Sequence, residues 1–332
     1  MAPQVATMRN SRRAAIKAIS LIAISLAVLA TAGCGREKAD DRIVLGFSQI
    51  GAESEWRTAN TESIKAAAVT SNIDLRFADA QQKQENQIKA LRSFIAQKVD
   101  VIAFSPVVET GWDTVLMEAR DAGIPVILTD RAVSSDPSLY AGFLGSDFVE
   151  EGRKAGRWVS EKFATATEDV NIVELQGTVG SAPANDRKKG FEEIIAANPR
   201  LRIIRSQTGD FTRTKGKETM EAILKSESRK IHVLFAHNDD MAIGAIQAIE
   251  EAGHKPGKEI LIVSIDAVKG AFEAMIAGKL NATIECNPLL GPQLMTSVTE
   301  VVAGRPIAKR MVVDEAMFTM ETARQVIQTR KY

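Results

Sequence analysis

Polar and aromatic side chains gather just after short apolar runs in this chain. Ser48 and Gln49 follow the first run, with Ser54, Trp56 and Arg57 shortly behind. Asp130 and Arg131 follow a later one. Arg187 comes after a Gln176–Ser181 stretch with Asn185 and Asp186, Phe211 sits within residues 209–213, Asn238 follows His237, and Asp266 closes another run. Carboxylates accept hydrogen bonds from hydroxyls, guanidinium and amide groups donate to ring and hydroxyl oxygens, and flat rings cover C–H faces. A polyhydroxyl ligand such as a carbohydrate uses all three. Burying such groups is tolerable only where a ligand completes their hydrogen bonds. Each has a plainer reading. An Asp after a strand is often a helix N-cap, the preferred role for Asp147 and Asp240. Asp130, Asp266 and Asn238 fit either role, Phe211 fits an ordinary core, and Trp158 is read as core.

Catalytic readings fit less well. Gly177 and Gly180 lack the third glycine of a dinucleotide fingerprint, and residues 253–258 are one residue short of a phosphate-binding loop and lack its Ser or Thr. Cys286 with His237 is a conceivable nucleophile and base, but a lone core cysteine is the simpler account. Adjacent Asp239 and Asp240 point in different directions on a helix and do not pair as acid and base. The three histidines, His232, His237 and His254, show no metal-ligand spacing. The chain therefore reads as no enzyme, with no cofactor and no metal.

These residues need elements to hold them. From residue 43, apolar runs at 43–47, 75–78, 101–104, 126–128, 171–175, 203–207, 233–236, 260–265 and 282–285 read as buried parallel strands, because they do not alternate. Between them lie stretches of helical period. In residues 84–99, Ile88, Leu91, Ile95 and Val99 recur on one face. Gly123-Ile124-Pro125 stops one helix and starts a strand. Asp147 with Glu150 resembles a capping box. Such alternation predicts an α/β architecture of doubly wound parallel sheets, and ligands in such sheets bind beyond the carboxyl ends of the strands. The length predicts two lobes.

The first 41 residues differ. Arg9, Arg12, Arg13 and Lys17 precede an uncharged apolar run over 18–30, too short to span a membrane, which then gives way to small residues. Residues 1–33 read as an export signal. Thr31-Ala32-Gly33-Cys34 resembles a bacterial lipobox, with Thr where Leu is usual, and makes Cys34 the expected lipidated first residue. The alternative is cleavage elsewhere. Residues 11–17 also resemble a twin-arginine signal, with Ala15 where Phe is commoner. Residues 34–41 read as a polar tether. Without the four basic residues of the leader, 38 basic side chains face 42 acidic ones, a net charge of −4. That balance gives no electrostatic footprint for nucleic acid. Cys286 is the only cysteine after Cys34, so no disulfide framework forms within the chain.

Longer stretches carry a family resemblance: 46–49, 78–90, 173–180, 186–191, 206–213 and 236–241. Over residues 43–313 the chain resembles the type I periplasmic sugar-binding proteins, the ribose- and galactose-binding group that shares its core with lac-repressor-like regulators. Within that group it is similar to the galactofuranose-binding proteins of bacterial ABC transporters. The resemblance implies two lobes joined by three crossings, placed near Ser146, Cys286 and Lys309. The lobes would comprise residues 42–146 with 287–308, and 147–286 with 309–332. It implies a monosaccharide ligand, a permease partner, a monomer and a lipid-anchored protein in the periplasm or at the cell surface. Trp56 and Arg57 match the position of two stacking aromatic rings in the ribose-binding relatives, and Arg57 there would demand a sugar oxygen opposite it. Asp130 and Arg131 match a hydroxyl-gripping pair, Phe211 an aromatic platform, Asn238 and Asp266 polar ligands of the second lobe, and Arg187 a further donor. Asn185 stands where the ribose protein has Arg, and Cys286 replaces a Gln. A DNA-binding regulator would need a helix-turn-helix in place of the leader. A sensory receptor would use the same closed form as a transport protein.

Overall fold

A run such as Val101-Ile102-Ala103-Phe104 offers no polar position to solvent, so both its faces must be covered. The computed structural model, which describes residues 42–332, meets that requirement twice. The export signal, the tether and Cys34 lie outside the described residues. The strands are β1 (Val44–Gln49), β2 (Asp74–Asp79), β3 (Val101–Phe104), β4 (Val126–Thr129), β5 (Gly142–Gly145), β6 (Val170–Gln176), β7 (Leu201–Thr208), β8 (Val233–Ala236), β9 (Leu261–Asp266), β10 (Ala282–Glu285), β11 (Arg310–Val312) and β12 (Met317–Thr319). One sheet has the order β11-β5-β4-β3-β1-β2 and the other β12-β10-β9-β8-β6-β7. All neighbours are parallel except β10 and β12.

Helices cover both faces of each sheet. In the first lobe, helices Glu55–Thr70 and Gly291–Val302 bury Ile64 and Leu294 with Leu45 and Phe47. On the opposite face, helices Gln84–Gln97 and Asp113–Asp121 bury Leu91, Phe94, Val115 and Leu116. The second lobe has its own core, where Phe191 stacks on Phe235 at 4.2 Å and Trp158 is buried as expected.

The chain passes between the sheets at 146–147, at 286–290 and at 313–316. The third passage falls later than Lys309, because Arg310–Val312 pairs with β5 and so extends the first sheet. β5, β11 and β12 had no counterpart among the expected strands. Asp147 caps helix Phe148–Lys162 by accepting from Glu150 N. Asp240 does not cap its own helix: Asn238 is the N-cap of helix Asp239–Glu251, its Oδ1 accepting from Met241 N at 3.0 Å.

The carboxyl ends of the strands carry backbone strain. Asp130, after β4, has φ 64°, Phe211, after β7, φ 60°, and Asp266, at the end of β9, φ 127°. Non-glycine residues hold such conformations only where their surroundings enforce them, and such residues cluster at functional sites.

Candidate functional site

Asp130 and Asp266 come from different lobes and line one cleft between them. The cleft leaves about 290 Å³ of empty space, walled also by Glu53, Ser54, Trp56, Arg57, Arg131, Pro183, Arg187, Phe211, Asn238 and Cys286.

The first lobe supplies a buried charge network. Arg57 Nη2 lies 2.7 Å from Asp130 Oδ2, and Ser105 Oγ donates to the same oxygen at 2.8 Å. Arg57 Nε donates to Glu53 Oε1 at 3.0 Å, and its Nη1 reaches Gln49 Oε1 at 3.3 Å and Ser105 Oγ at 3.4 Å. Burial alone would raise the pKa of Asp130, but Arg57 and Arg131 hold it below the ordinary carboxylate range. Arg131 is the weaker-held cation: burial and the neighbouring Arg57 bring its pKa down to about 10. Its Nη1 donates to Val107 O at 3.1 Å, while its buried Nε lies 3.7 Å from Asp130 Oδ2 and makes no hydrogen bond among the described residues. A buried donor without a hydrogen bond is costly, which leaves this one open to an acceptor from outside.

The second lobe supplies the opposing wall. Arg187 is tied to Glu151 Oε2 at 2.7 Å and to His237 O at 2.5 Å, which aims its Nη2 at Asp266 Oδ1, 3.8 Å away. Burial pushes Asp266 well above the ordinary carboxylate range, with Arg187 opposing the shift. Two guanidinium groups lie over Phe211, Arg131 at 5.0 Å and Arg187 at 5.9 Å from its ring centre. Gly177 makes room for that ring: an added Cβ would fall 1.8 Å from Phe211 Cζ. Trp56 is fixed edge-on by donating from Nε1 to Cys286 O at 2.6 Å, and Arg57 covers its ring at 4.6 Å.

The structure thus brings Ser54, Trp56, Arg57, Asp130, Arg131, Arg187, Phe211, Asn238 and Asp266 to one cleft. Ser48 and Gln49 stand behind it and do not line it. Gln49 spends its amide on Asn60 Oδ1, Thr61 Oγ1, Ile50 N and Arg57, so it positions the arginine. Ser54 caps helix Glu55–Thr70 through Arg57 N. Arg57 spends four of its five N–H donors within the protein, which leaves one on Nη2 for a sugar oxygen. Asn185 is outside the cleft wall and donates across the lobes to Glu109 Oε2 at 2.5 Å. Glu53, Pro183 and the supporting Ser105 and Glu151 were absent from the sequence reading. Glu53 had one signal, a carboxylate four residues before Arg57.

The periplasmic binding protein domain family matches residues 45–306. A galactofuranose-binding protein of Escherichia coli (strain K12) is 48% identical over 293 residues, which is 87% of this chain and 92% of that protein. A Mycobacterium smegmatis protein solved in complex with β-D-fucofuranose is 57% identical with a TM-score of 0.86, covering 87% of this chain and 95% of the other. The periplasmic binding component of the arabinose ABC transporter of Shewanella sp. ANA-3, solved with α- and β-L-arabinofuranose, is 51% identical with a TM-score of 0.83 over the same shares.

Proposed function

The chain belongs to the periplasmic binding protein family, and from that premise we propose that it captures a monosaccharide in its furanose ring form and delivers it to an ABC permease. The observation that carries this reading is the pair of strained, buried carboxylates, Asp130 and Asp266, facing one cleft from two lobes with a guanidinium beside each. In this reading both carboxylates accept from sugar hydroxyls and Arg131 Nε donates to the ring or a hydroxyl oxygen. Phe211 and Trp56 cover the C–H faces, and Arg187 and Asn238 complete the second wall. The ligands named for the relatives favour a galactose-configured furanose: D-fucose is galactose without its 6-hydroxyl, and L-arabinose is galactose without its sixth carbon. Support for galactofuranose therefore rests on these similarities and on a wall of carboxyl and guanidinium groups, with one Arg57 donor left to a sugar oxygen.

Family membership places the protein outside the cytoplasm. The lipid anchor on Cys34 and the permease partner belong to the proposal. Two or more acyl chains would anchor it stably, whereas one would be marginal. Membrane fractionation of a Cys34→Ala variant tests this; an unchanged membrane share would rule the anchor out.

For the sugar, Trp56 fluorescence titrations with galactofuranosides, D-galactose, D-fucose, L-arabinose, D-glucose and D-ribose decide. The galactose-configured sugars are expected to bind more tightly. Ribose or glucose binding at least as tightly as every one of them would overturn the assignment.

A further inference from the structure

Outside the cleft, the lobes touch through charges that no ligand contact explains. Asp240, in the first turn of helix Asp239–Glu251 of the second lobe, accepts at Oδ2 from Glu55 N at 2.8 Å. That N–H is the first of helix Glu55–Thr70 in the first lobe, one of the donors a helix leaves unpaired at its start. The contact runs the other way as well. The Glu55 carboxylate sits beside Gly270 at the start of helix Lys269–Ile276, where an added Cβ would lie 3.0 Å from Glu55 Oε2. Each lobe therefore places a carboxylate against the positive end of a helix in the other. The two carboxylates repel each other, and Arg213 answers both: its Nη2 lies 2.8 Å from Asp240 Oδ1 and 3.8 Å from Glu55 Oε2. Asp240 is almost fully buried, while Arg213 and Glu55 are part-exposed.

None of the three lines the cleft. We propose that Asp240, Glu55 and Arg213 form a reciprocal latch whose bonds exist only when the lobes are closed, and which sets how slowly a bound sugar is released. They are positioning residues, since they act on closure and touch no ligand. The inference rests on the proposed function in one respect: closure must take place over a ligand. Opening separates Asp240 from Glu55 N and returns both to water, so the latch lowers the free energy of the closed state alone. Its effect belongs in the release rate rather than the encounter rate. An ion cluster of this exposure is also weakened by salt.

The test measures release of D-galactose by stopped-flow Trp fluorescence in wild type, Asp240→Ala, Asp240→Asn and Arg213→Met. Single-molecule energy transfer between one dye on each lobe, without ligand, gives the closed fraction. Asp240→Ala is expected to speed release by roughly tenfold, the size of one charge-assisted hydrogen bond, with association changed less than threefold. Asp240→Asn keeps an acceptor and falls between. Wild-type release should quicken with added salt, and release from Asp240→Ala should quicken less, with only Arg213 and Glu55 left to pair across the lobes. A purely structural role for Asp240 would lower the melting temperature without moving that salt dependence. Unchanged release and an unchanged closed fraction in Asp240→Ala would overturn the latch. If wild type ignores galactose and the other sugars, the functional reading falls, and the ligand-free closed fraction alone decides the latch: lower in Asp240→Ala supports it, equal refutes it.

Discussion

Asp130 has little water around it, so its charge depends on neighbours. It is 4% exposed and bonded to Arg57 and Ser105, with Arg131 close by. Asp130→Ala would strand two buried guanidinium groups and remove an acceptor aimed at the cleft. Losing one partner of a desolvated charged pair costs about 2–5 kcal/mol. Calorimetry with the best-binding sugar should therefore show affinity falling well over tenfold, while circular dichroism keeps its folded signature. An affinity within twofold of wild type would reduce Asp130 to a structural residue. Gly177 gives a companion prediction. With Phe211 Cζ only 1.8 Å from an added Cβ, Gly177→Ala must displace the ring. Weaker sugar binding is expected, with a loss of about 1–3 kcal/mol in urea unfolding as for other overpacked sites. These two residues also show what residue types reveal. Asp130 was visible because its class and its place after a strand both signal chemistry. The distinction between Arg131, whose Nε makes no hydrogen bond, and Arg57, with four of five donors taken, was not. It depends on Glu53 and Ser105 being brought to the same guanidinium, a tertiary fact with only faint local trace.

At the scale of elements, the buried strands were legible because parallel strands covered on both sides must be apolar throughout. β5, Gly142-Phe143-Leu144-Gly145, was not. Its glycines carry no strand signal, yet they answer to crowding: an added Cβ would meet Ala308 O at 2.7 Å from Gly142 and Asp130 O at 2.7 Å from Gly145. The close approach of neighbouring backbone selects glycine there, and a strand pattern cannot show it. β11 and β12 are three-residue edges whose pairing comes from lobe geometry rather than propensity. Asn238 shows the same ambiguity resolved. Its Oδ1 caps helix Asp239–Glu251 and its Nδ2 donates to Phe211 O at 3.0 Å, so one side chain starts a helix and fixes the aromatic platform. Asn238→Ala is expected to cost about 1–2 kcal/mol of stability through the lost cap. It should also weaken sugar binding, whereas Asn238→Asp, which still caps but cannot donate to Phe211 O, should recover stability without recovering affinity. Equal recovery of both would mean the platform bond is irrelevant.

The whole molecule is joined where its three passages meet. Ser146 from the first, Cys286 from the second and Glu315 from the third come together: Ser146 Oγ donates to Glu315 Oε1 at 2.5 Å and lies 3.3 Å from Cys286 Sγ. Asn287 N donates to the same Glu315 oxygen at 3.0 Å, and Lys154 Nζ to Glu315 O at 2.6 Å. Glu151, Cys286 and Glu315 have side-chain oxygen or sulfur atoms within 4.8 Å of one another. Burial, and then the neighbouring Glu151 charge, push Glu315 up to about 9, and burial likewise raises Glu151 and the Cys286 thiol. Arg187 compensates Glu151, leaving Glu315 as the carboxyl that keeps its proton in the folded protein. The sign of the linkage follows. An acid whose folded pKa exceeds its unfolded value of 4.5 stabilises the fold fully below that lower value, and the contribution is lost as pH rises toward about 9. Wild-type stability should therefore decline between pH 6 and pH 9. Glu315→Gln, which mimics the protonated acid at every pH, should lose less stability than wild type between pH 6 and pH 9. Urea midpoints at pH 6, 7.5 and 9 measure this, and parallel curves for the two proteins would show that the junction holds no extra proton. Because the same cluster holds Arg187 through Glu151, ionising Glu315 should also loosen the second wall of the cleft, so sugar affinity should fall over the same pH range more steeply in wild type than in Glu315→Gln, where Asp266 is left to titrate.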